Sequence, residues 1–209
     1  MTDSFENSVP GERKASVQRA TRETQIEISL CLDGARNVKV QTGLGFLDHM
    51  LAALAFHARW DLNLIAKGDL EVDDHHTVED CGLALGQAFE LALGDKRGID
   101  RFGTAFAPLD EALARCVIDL SGRPSAVVNL DLQRDMIGQV ACENLPHFFQ
   151  SFSTAAKFTL HLDVLRGAND HHRAEAAFKA FALAIRQAVH RNNDLTPSSQ
   201  EIPSTKGAL

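Results

Sequence analysis

The 209-residue chain has no tyrosine, one tryptophan and no long apolar run. Its longest uninterrupted apolar stretch, Met50 to Phe56, falls far short of the ~20 residues that cross a bilayer, which excludes a membrane-spanning segment. Cys31, Cys81, Cys116 and Cys142 have no C-x-x-C spacing, so neither a disulfide framework nor a thiolate zinc site is expected; they read as reduced, mostly buried thiols. The polar N-terminal stretch lacks the apolar core of a signal peptide, and the expected location is the cytoplasm. Basic residues are outnumbered 21 to 28, for a formal charge of -7, which disfavours bulk nucleic acid and anionic membranes but leaves room for a small anion where a few cations converge. No P-loop and no G-x-G-x-x-G is present, so nucleotide-type phosphate cradles are not expected. With 44% hydrophobic and 23% charged residues, the chain is a soluble globular one. Its length suffices to bury roughly 70% of the unfolded surface in one or two domains.

What the chain has in excess is histidine, nine residues in all, with two adjacent pairs where fewer than one is expected by chance. Both pairs sit in one frame, Asp74-His75-His76-Thr77-Val78-Glu79 and Asp170-His171-His172-Arg173-Ala174-Glu175, 96 positions apart. Upstream of each pair another histidine opens an apolar, helix-like run: His49 in Leu47-Asp48-His49, and His147 in Leu145-Pro146-His147. The chain is therefore an internal duplication.

The patterning repeats in the same order. Alternation over Gln25 to Leu32, a hairpin-like turn at Asp33-Gly34, a strand through Val38 and Val40, a helix near Phe46 to His57, a strand Leu62 to Ile65 and a helix from the first doublet make up one half. The other has strands Ala114 to Leu120 and Ala126 to Leu130 around a turn at Ser121-Gly122-Arg123-Pro124, a helix near Leu145 to Lys157, a strand Thr159 to Val164 and the second doublet helix. The fold class is α+β, a duplicated ββαβα unit. The expected divisions are a tail over 1–12, halves over 13–95 and 96–191, and a C-terminal segment over 192–209 with Asn192 to Gln200 as loop. The last helix carries the stripe Ala174, Phe178, Phe181, Ile185 and Val189 toward a core, and the first doublet helix a matching one of Val78, Cys81 or Gly82, Leu85 and Phe89.

On a helix, His75 and Glu79 lie one turn apart on the same face, as do His171 and Glu175, so each pair can chelate an ion. His76 and His172 sit about 100° round the helix from their neighbours and point at a different centre. The candidate ligands are thus His49, His75, His76, Glu79, His147, His171, His172 and Glu175, three imidazoles and one carboxylate for each of two ions. Nitrogen and oxygen donors without thiolate suit manganese, iron, cobalt, nickel or zinc rather than calcium. Asp74 and Asp170 are placed to cap their helices or to orient an imidazole. Alone, His57, His161 and His190 read as structural or exposed. The halves differ at Lys179, whose counterpart is Leu83. With Arg101, Arg123 and Ser204-Thr205-Lys206-Gly207 it offers the donors that a phosphate takes.

The ordered motifs Gly43 to Met50, Asp73 to Asp80, Ser121 to Pro124, His171-His172-x-x-Glu175 with Phe178-Lys179-Ala180, and Pro203 to Gly207 closely resemble the imidazoleglycerol-phosphate dehydratase family of histidine biosynthesis. The resemblance runs from about Arg13 to the C-terminus and points to the monofunctional form. It implies two mixed sheets with helices on one face, the halves like domain 2 of ribosomal protein S5. It implies two Mn(2+) per active site on the eight ligands, and catalysis by Glu23, His49, His76, Glu79, His172 and Glu175. It also implies substrate contacts from Glu23, His49, His57, His75, His76, Glu79 and His171, with the phosphate on Arg101, Arg123, Lys179, Ser204, Thr205 and Lys206. Family members form 24-subunit homo-oligomers with shared active sites.

The chemistry fits these groups. Expelling a hydroxyl next to a C–H that no carbonyl acidifies needs another electron source, and the imidazole ring of the substrate is one. Held by both ions, the ring as imidazolate pushes out the adjacent hydroxyl to give a diazafulvene-like intermediate, and loss of the next C–H proton leads to imidazole acetol phosphate. Glu23 is the candidate acid/base, with a metal-bound water or a histidine as competitor. Two-metal hydrolases are the rival enzyme class, but six imidazoles to two carboxylates favours a nitrogen heterocycle as ligand. Metal storage fits a helical bundle better than repeated strands.

Overall fold

The computed structural model describes residues 11–191 and 201–207. The expected tail, apart from its last two residues, and the expected loop at Asn192 to Gln200 lie outside the described residues. The first half contains β1 (Lys14–Ala20), β2 (Thr24–Cys31), β3 (Val38–Gln41), α1 (Gly45–Ala58), β4 (Asp61–Gly68) and α2 (His75–Leu93). The second contains β5 (Phe102–Leu109), β6 (Ala112–Asp119), β7 (Ser125–Asn129), the short strands β8 (Met136–Ile137) and β9 (Val140–Ala141), α3 (Asn144–Ala156), β10 (Thr159–Arg166) and α4 (Asp170–Ala188). The two four-stranded sheets have orders β1-β2-β4-β3 and β5-β6-β10-β7, the same topology twice.

The ββαβα unit is present in each half, preceded by a strand that periodicity did not reveal. In β1 only Val17 is buried, so an edge strand with one face in solvent leaves little apolar alternation to read. In β5 the residues that face inward are small, with Ala107 buried and Gly103 backed onto α4, while Phe102 and Phe106 are exposed. The apolar signal there sits on the outer face.

The turn at Asp33-Gly34 does not close a hairpin. β3 pairs parallel with β4, and β4 lies between β2 and β3. Asp61, at the start of β4, explains the crossing: its Oδ1 accepts from the N–H groups of Ala35 (2.8 Å) and Asn37 (2.7 Å), drawing that loop away from β2. Ser121 to Pro124 likewise leads into β7, which pairs parallel with β10.

Alternation gives each sheet one apolar face. Ile26, Ile28 and Leu30 of β2, Leu62 and Leu64 of β4, Cys116 and Ile118 of β6, and Leu160 and Leu162 of β10 are all buried. α1 and α2 cover the first sheet, α3 and α4 the second, and α1 packs on α4 as α2 packs on α3, so the helices lie between the sheets. The α4 stripe Ala174, Phe178, Phe181, Ile185 and Val189 is buried as its spacing requires. Phe178 and Phe181 meet α3 through Phe149, whose ring centre lies 4.5 Å from that of Phe178, and Phe152, 5.4 Å from Phe181. Each such fully buried side chain contributes about 1.5–3 kcal/mol.

α2 and α3 come especially close. A Cβ on Gly82 would lie 2.8 Å from the Phe148 carbonyl oxygen, and one on Gly86 2.5 Å from that of Phe152. Two glycines one turn apart thus let the backbones touch and fix how far along α3 the start of α2 sits.

A buried guanidinium ties the entry to β1 to the rest of the fold. Arg13 pairs with Asp33 (Nη2 to Oδ1, 2.6 Å) and donates from Nη1 to the Val189 carbonyl at 2.6 Å, joining both halves. Burial pushes the Asp33 carboxyl up, but the Arg13 hydrogen bonds outweigh it and hold it below the ordinary value. A carboxyl depressed on folding stabilises above its unfolded range, and the contribution is lost as pH falls through the folded range. Asp33→Asn should cost about 2 kcal/mol at neutral pH, in line with a charge-assisted hydrogen bond. Denaturant titrations should show that deficit shrinking toward acid pH; a deficit independent of pH would contradict the assignment.

Candidate metal centre

Both doublets open their helices in the same way. Asp73 Oδ1 accepts from the His75 N–H (2.8 Å) and Asn169 Oδ1 from the His171 N–H (2.9 Å). The capping oxygen is therefore one residue earlier than expected. Asp74 and Asp170 neither cap nor touch an imidazole: Asp74 accepts from Ala141 N–H (2.9 Å), and Asp170 from Gln133 (2.9 Å) and Arg134 (2.7 Å) N–H. Both carboxylates are buried and anchor the β7–α3 connection through its backbone N–H groups.

The fold gathers six of the eight candidate ligands into two groups, His49 with His171 and Glu175, and His75 with Glu79 and His147. Each group crosses the halves: α1 meets α4 in the first, α2 meets α3 in the second. Glu175 Oε2 lies 3.1 Å from His49 Nε2 and 3.2 Å from His171 Nε2. Glu79 lies 3.3 Å from His147 Nε2 and 3.9 Å from His75 Nε2, and the His75 and His147 rings stack 4.9 Å apart.

Donor chemistry fits a divalent first-row ion in each group, two imidazole nitrogens and a carboxylate. A second observation points the same way. His147 Nε2 is shut off from solvent and has no hydrogen-bond partner, a costly state for a lone pair unless a proton donor or a metal ion takes it. Asn144 Oδ1 lies 2.9 Å from His75 Nδ1, which turns His75 Nε2 toward the group. Thiols take no part: all four cysteines are free and buried, and burial pushes Cys31 up to about 11 and raises Cys81, Cys116 and Cys142 as well.

His76 and His172 stand outside both groups, as the 100° step from their neighbours requires. Each is gripped at Nδ1, His76 by Asp69 (3.0 Å) and His172 by Glu111 (2.7 Å), which leaves Nε2 without a close hydrogen bond, 3.8 Å from Glu23 in His76 and 3.8 Å from Asp110 in His172. The hydrogen bonds to Asp69 and Glu111 raise both histidines, and the His172 bond holds the Glu111 carboxyl at about 2. A carboxylate on Nδ1 fixes the ring and makes Nε2 the ligating atom. Asp69, Glu111 and Asn144 were missed by sequence reasoning. Asp69 follows β4 while Glu111 lies in the β5–β6 turn, so the 96-residue offset does not relate them and no spacing marks them.

Around the first group stand further expected residues. Burial pushes the Glu175 carboxyl up, but Lys179, with Nζ 2.6 Å from Oε1, and His49 outweigh it and hold it at about 2. His57, two turns along α1 from His49, is lowered by burial and then by Lys179 and Arg186, so its ring is neutral at physiological pH. Glu23 lies in the β1–β2 turn with Oε1 3.8 Å from His76 Nε2. Arg101 grips Asp119 (Nε to Oδ1, 2.7 Å) and donates to the Pro203 carbonyl at 2.8 Å, which brings Ser204, Thr205 and Lys206 to it. Leu120 N–H bonds the Arg101 carbonyl at 3.1 Å, so Arg123 follows closely. These phosphate candidates share one end of the second sheet, whereas Lys179 stands by Glu175.

A sequence profile described as imidazoleglycerol-phosphate dehydratase matches residues 42–185, the stretch that holds all eight candidate ligands. The chain is 51% identical to the imidazoleglycerol-phosphate dehydratase of Saccharomyces cerevisiae, over 95% of its own length and 99% of the relative's. A protein of the same name from Phytophthora nicotianae is 55% identical over 97% of this chain, which spans 44% of that longer relative. The crystal structure of imidazoleglycerol-phosphate dehydratase from Staphylococcus aureus superposes with a TM-score of 0.76 at 38% identity, covering 86% of this chain and 99% of that one.

Because the groups are separate, they should fail separately. Elemental analysis should show Glu79→Gln losing one bound ion and Glu175→Gln the other, each variant keeping about half of the normal content. Full ion content in both variants would rule out these carboxylates as ligands.

Proposed function

The chain belongs to the imidazoleglycerol-phosphate dehydratase family, and on that premise we propose that it dehydrates D-erythro-imidazoleglycerol phosphate to imidazole acetol phosphate and water, a hydro-lyase step of L-histidine biosynthesis. The observation that carries this reading is the pair of three-ligand groups with Glu23 beside His76. Two-metal hydrolases lean on bridging carboxylates, whereas these groups are rich in imidazole and leave room for a nitrogen heterocycle as a further ligand.

His49, His171 and Glu175 would hold one ion and His75, Glu79 and His147 the other, and we assign manganese by family resemblance. His76 and His172 belong to neither group, and we propose that they complete the groups of other copies, in an assembly of 24 subunits with shared active sites. When bound, the ions supply positive charge that favours the deprotonated ring of the substrate. Glu23, held near His76, is the acid/base: one C–O bond breaks with a proton delivered to the leaving hydroxyl, which departs as water. The C–H on the next carbon gives up its proton, and the enol becomes the ketone. Net, water alone is lost. Arg101, Arg123, Ser204, Thr205 and Lys206 hold the phosphate, while Lys179 and neutral His57 set its approach to the first group. Among the described residues no helix is long and apolar enough to cross a membrane. Four free, buried thiols suit a reducing compartment, and we place the protein in the cytoplasm.

Protein loaded with manganese should convert imidazoleglycerol phosphate to the ketone, followed by product analysis; release of inorganic phosphate instead would favour a phosphoesterase. Glu23→Gln should keep its ions and substrate KM while kcat falls by about 10²–10⁴. An unchanged kcat removes Glu23 from the acid/base role. Arg123→Ala should raise KM by on the order of tenfold or more with kcat nearly constant, as loss of a charge-assisted contact to a remote phosphate predicts.

A further inference from the structure

Glu23 has an exposed side chain on a short turn, and nothing in its own geometry fixes where its carboxylate points. The constraint comes from beneath. Thr21 Oγ1 accepts from the N–H groups of Glu23 (3.1 Å) and Thr24 (2.9 Å), and Thr21 N–H bonds the Thr24 carbonyl at 2.9 Å, which closes the turn. Thr24, almost fully buried, donates from Oγ1 to Asp80 Oδ2 at 2.5 Å. Asp80 is 4% exposed, and its other oxygen takes Arg19 of β1, with Nε at 2.8 Å and Nη2 at 2.7 Å.

Asp80 directly follows the ligand Glu79 and lies four residues past His76, so His76 and Asp80 share a face of α2 just as His75 and Glu79 share the adjacent one. One face carries a metal group; the other docks on the Glu23 turn. We propose that Asp80 is a positioning residue for the reaction. Through Thr24 and Arg19 it clamps the turn bearing Glu23 to the helix bearing His75, His76 and Glu79, so that the acid/base and the ligands move as one body.

The duplication supports a functional origin. Counting 96 positions on from Asp80 gives Ala176, so the second half has no such clamp, although its β5–β6 turn also sets a carboxylate, Asp110, 3.8 Å from His172 Nε2. A clamp needed only to seat a doublet helix on its sheet belongs in both halves; this one occurs where the acid/base candidate is. Asp80 touches neither a metal group nor the space beyond Glu23, so its influence passes through Thr24.

This inference rests on the acid/base reading of Glu23, and the test separates the two. Thr24→Val removes the hydroxyl at constant shape. In the metal-loaded protein it should lower kcat about 10- to 100-fold, the scale of a misplacement of roughly 1 Å, with KM and ion content within about twofold of the parent. Thr24→Ser, which restores the hydroxyl, should recover most of that loss. Hydrogen exchange should quicken at the Glu23 and Thr24 amides in Thr24→Val alone. In a Glu23→Gln background Thr24→Val should add less than about a twofold loss, because a misplaced inert side chain is no worse than a well-placed one. Should Thr24→Val fail to assemble, Asp80→Asn carries the same comparison. If Glu23→Gln costs activity but Thr24→Val does not, or if the two losses multiply, the clamp is wrong while Glu23 stands. If Glu23→Gln itself leaves kcat unchanged, the acid/base reading falls and takes the clamp with it.

Discussion

Everything at the candidate site depends on helices of one half packing against helices of the other. A carboxylate and a histidine one turn apart on a single helix give two ligands; the third comes from the facing helix, and only close packing delivers it. Gly82 and Gly86 let α2 press onto the α3 backbone, so His147 stacks on His75. His49 on α1 meets Glu175 on α4 in the same way. Were the halves to fold as independent domains, each doublet would stay a two-point chelate. The packing of α2 on α3 and of α1 on α4 is thus also what sets the geometry of the two groups.

The duplication then diverged at a few positions that divide the chemistry. Lys179 faces Glu175, where the other half has Leu83, and gives one group a cation in a chain of net charge -7. Asp80 sits beside Glu79, where the second half has Ala176, and gives the first half its tie to the Glu23 turn. On the proposed reading, one half has gained a cation suited to an anion and the other the seat of the proposed acid/base. The second histidines of the doublets remain alike, each held on Nδ1 by a carboxylate, although Asp69 and Glu111 come from unrelated loops.

Much of this was legible in the residues. The spacing of apolar positions located α1 as Phe46 to His57 against Gly45 to Ala58, and the four-residue step from histidine to glutamate put each pair on one face. The 100° between successive helix residues separated His76 and His172 from their neighbours. What stayed hidden depends on contacts between segments far apart in sequence. β1 and β5 bury too little to show a period, the placement of β3 beside β4 is set by Asp61 rather than by the turn before it, and the supports of the imidazoles obey no repeat. Asp74 and Asp170 looked like caps because they adjoin the doublets, yet burial turned them to loop backbone that needed acceptors.

The central claim is that each chain builds two three-ligand groups and leaves two further histidines outside them, so that ions and copies complete one another. The most direct measurement is the mass of the protein in solution with its ions, after chelation, and after return of manganese. The account predicts a large assembly that breaks into smaller species when the ions are withdrawn and re-forms when they return. A chain that holds its ions as a monomer, with a mass indifferent to chelation, would contradict it.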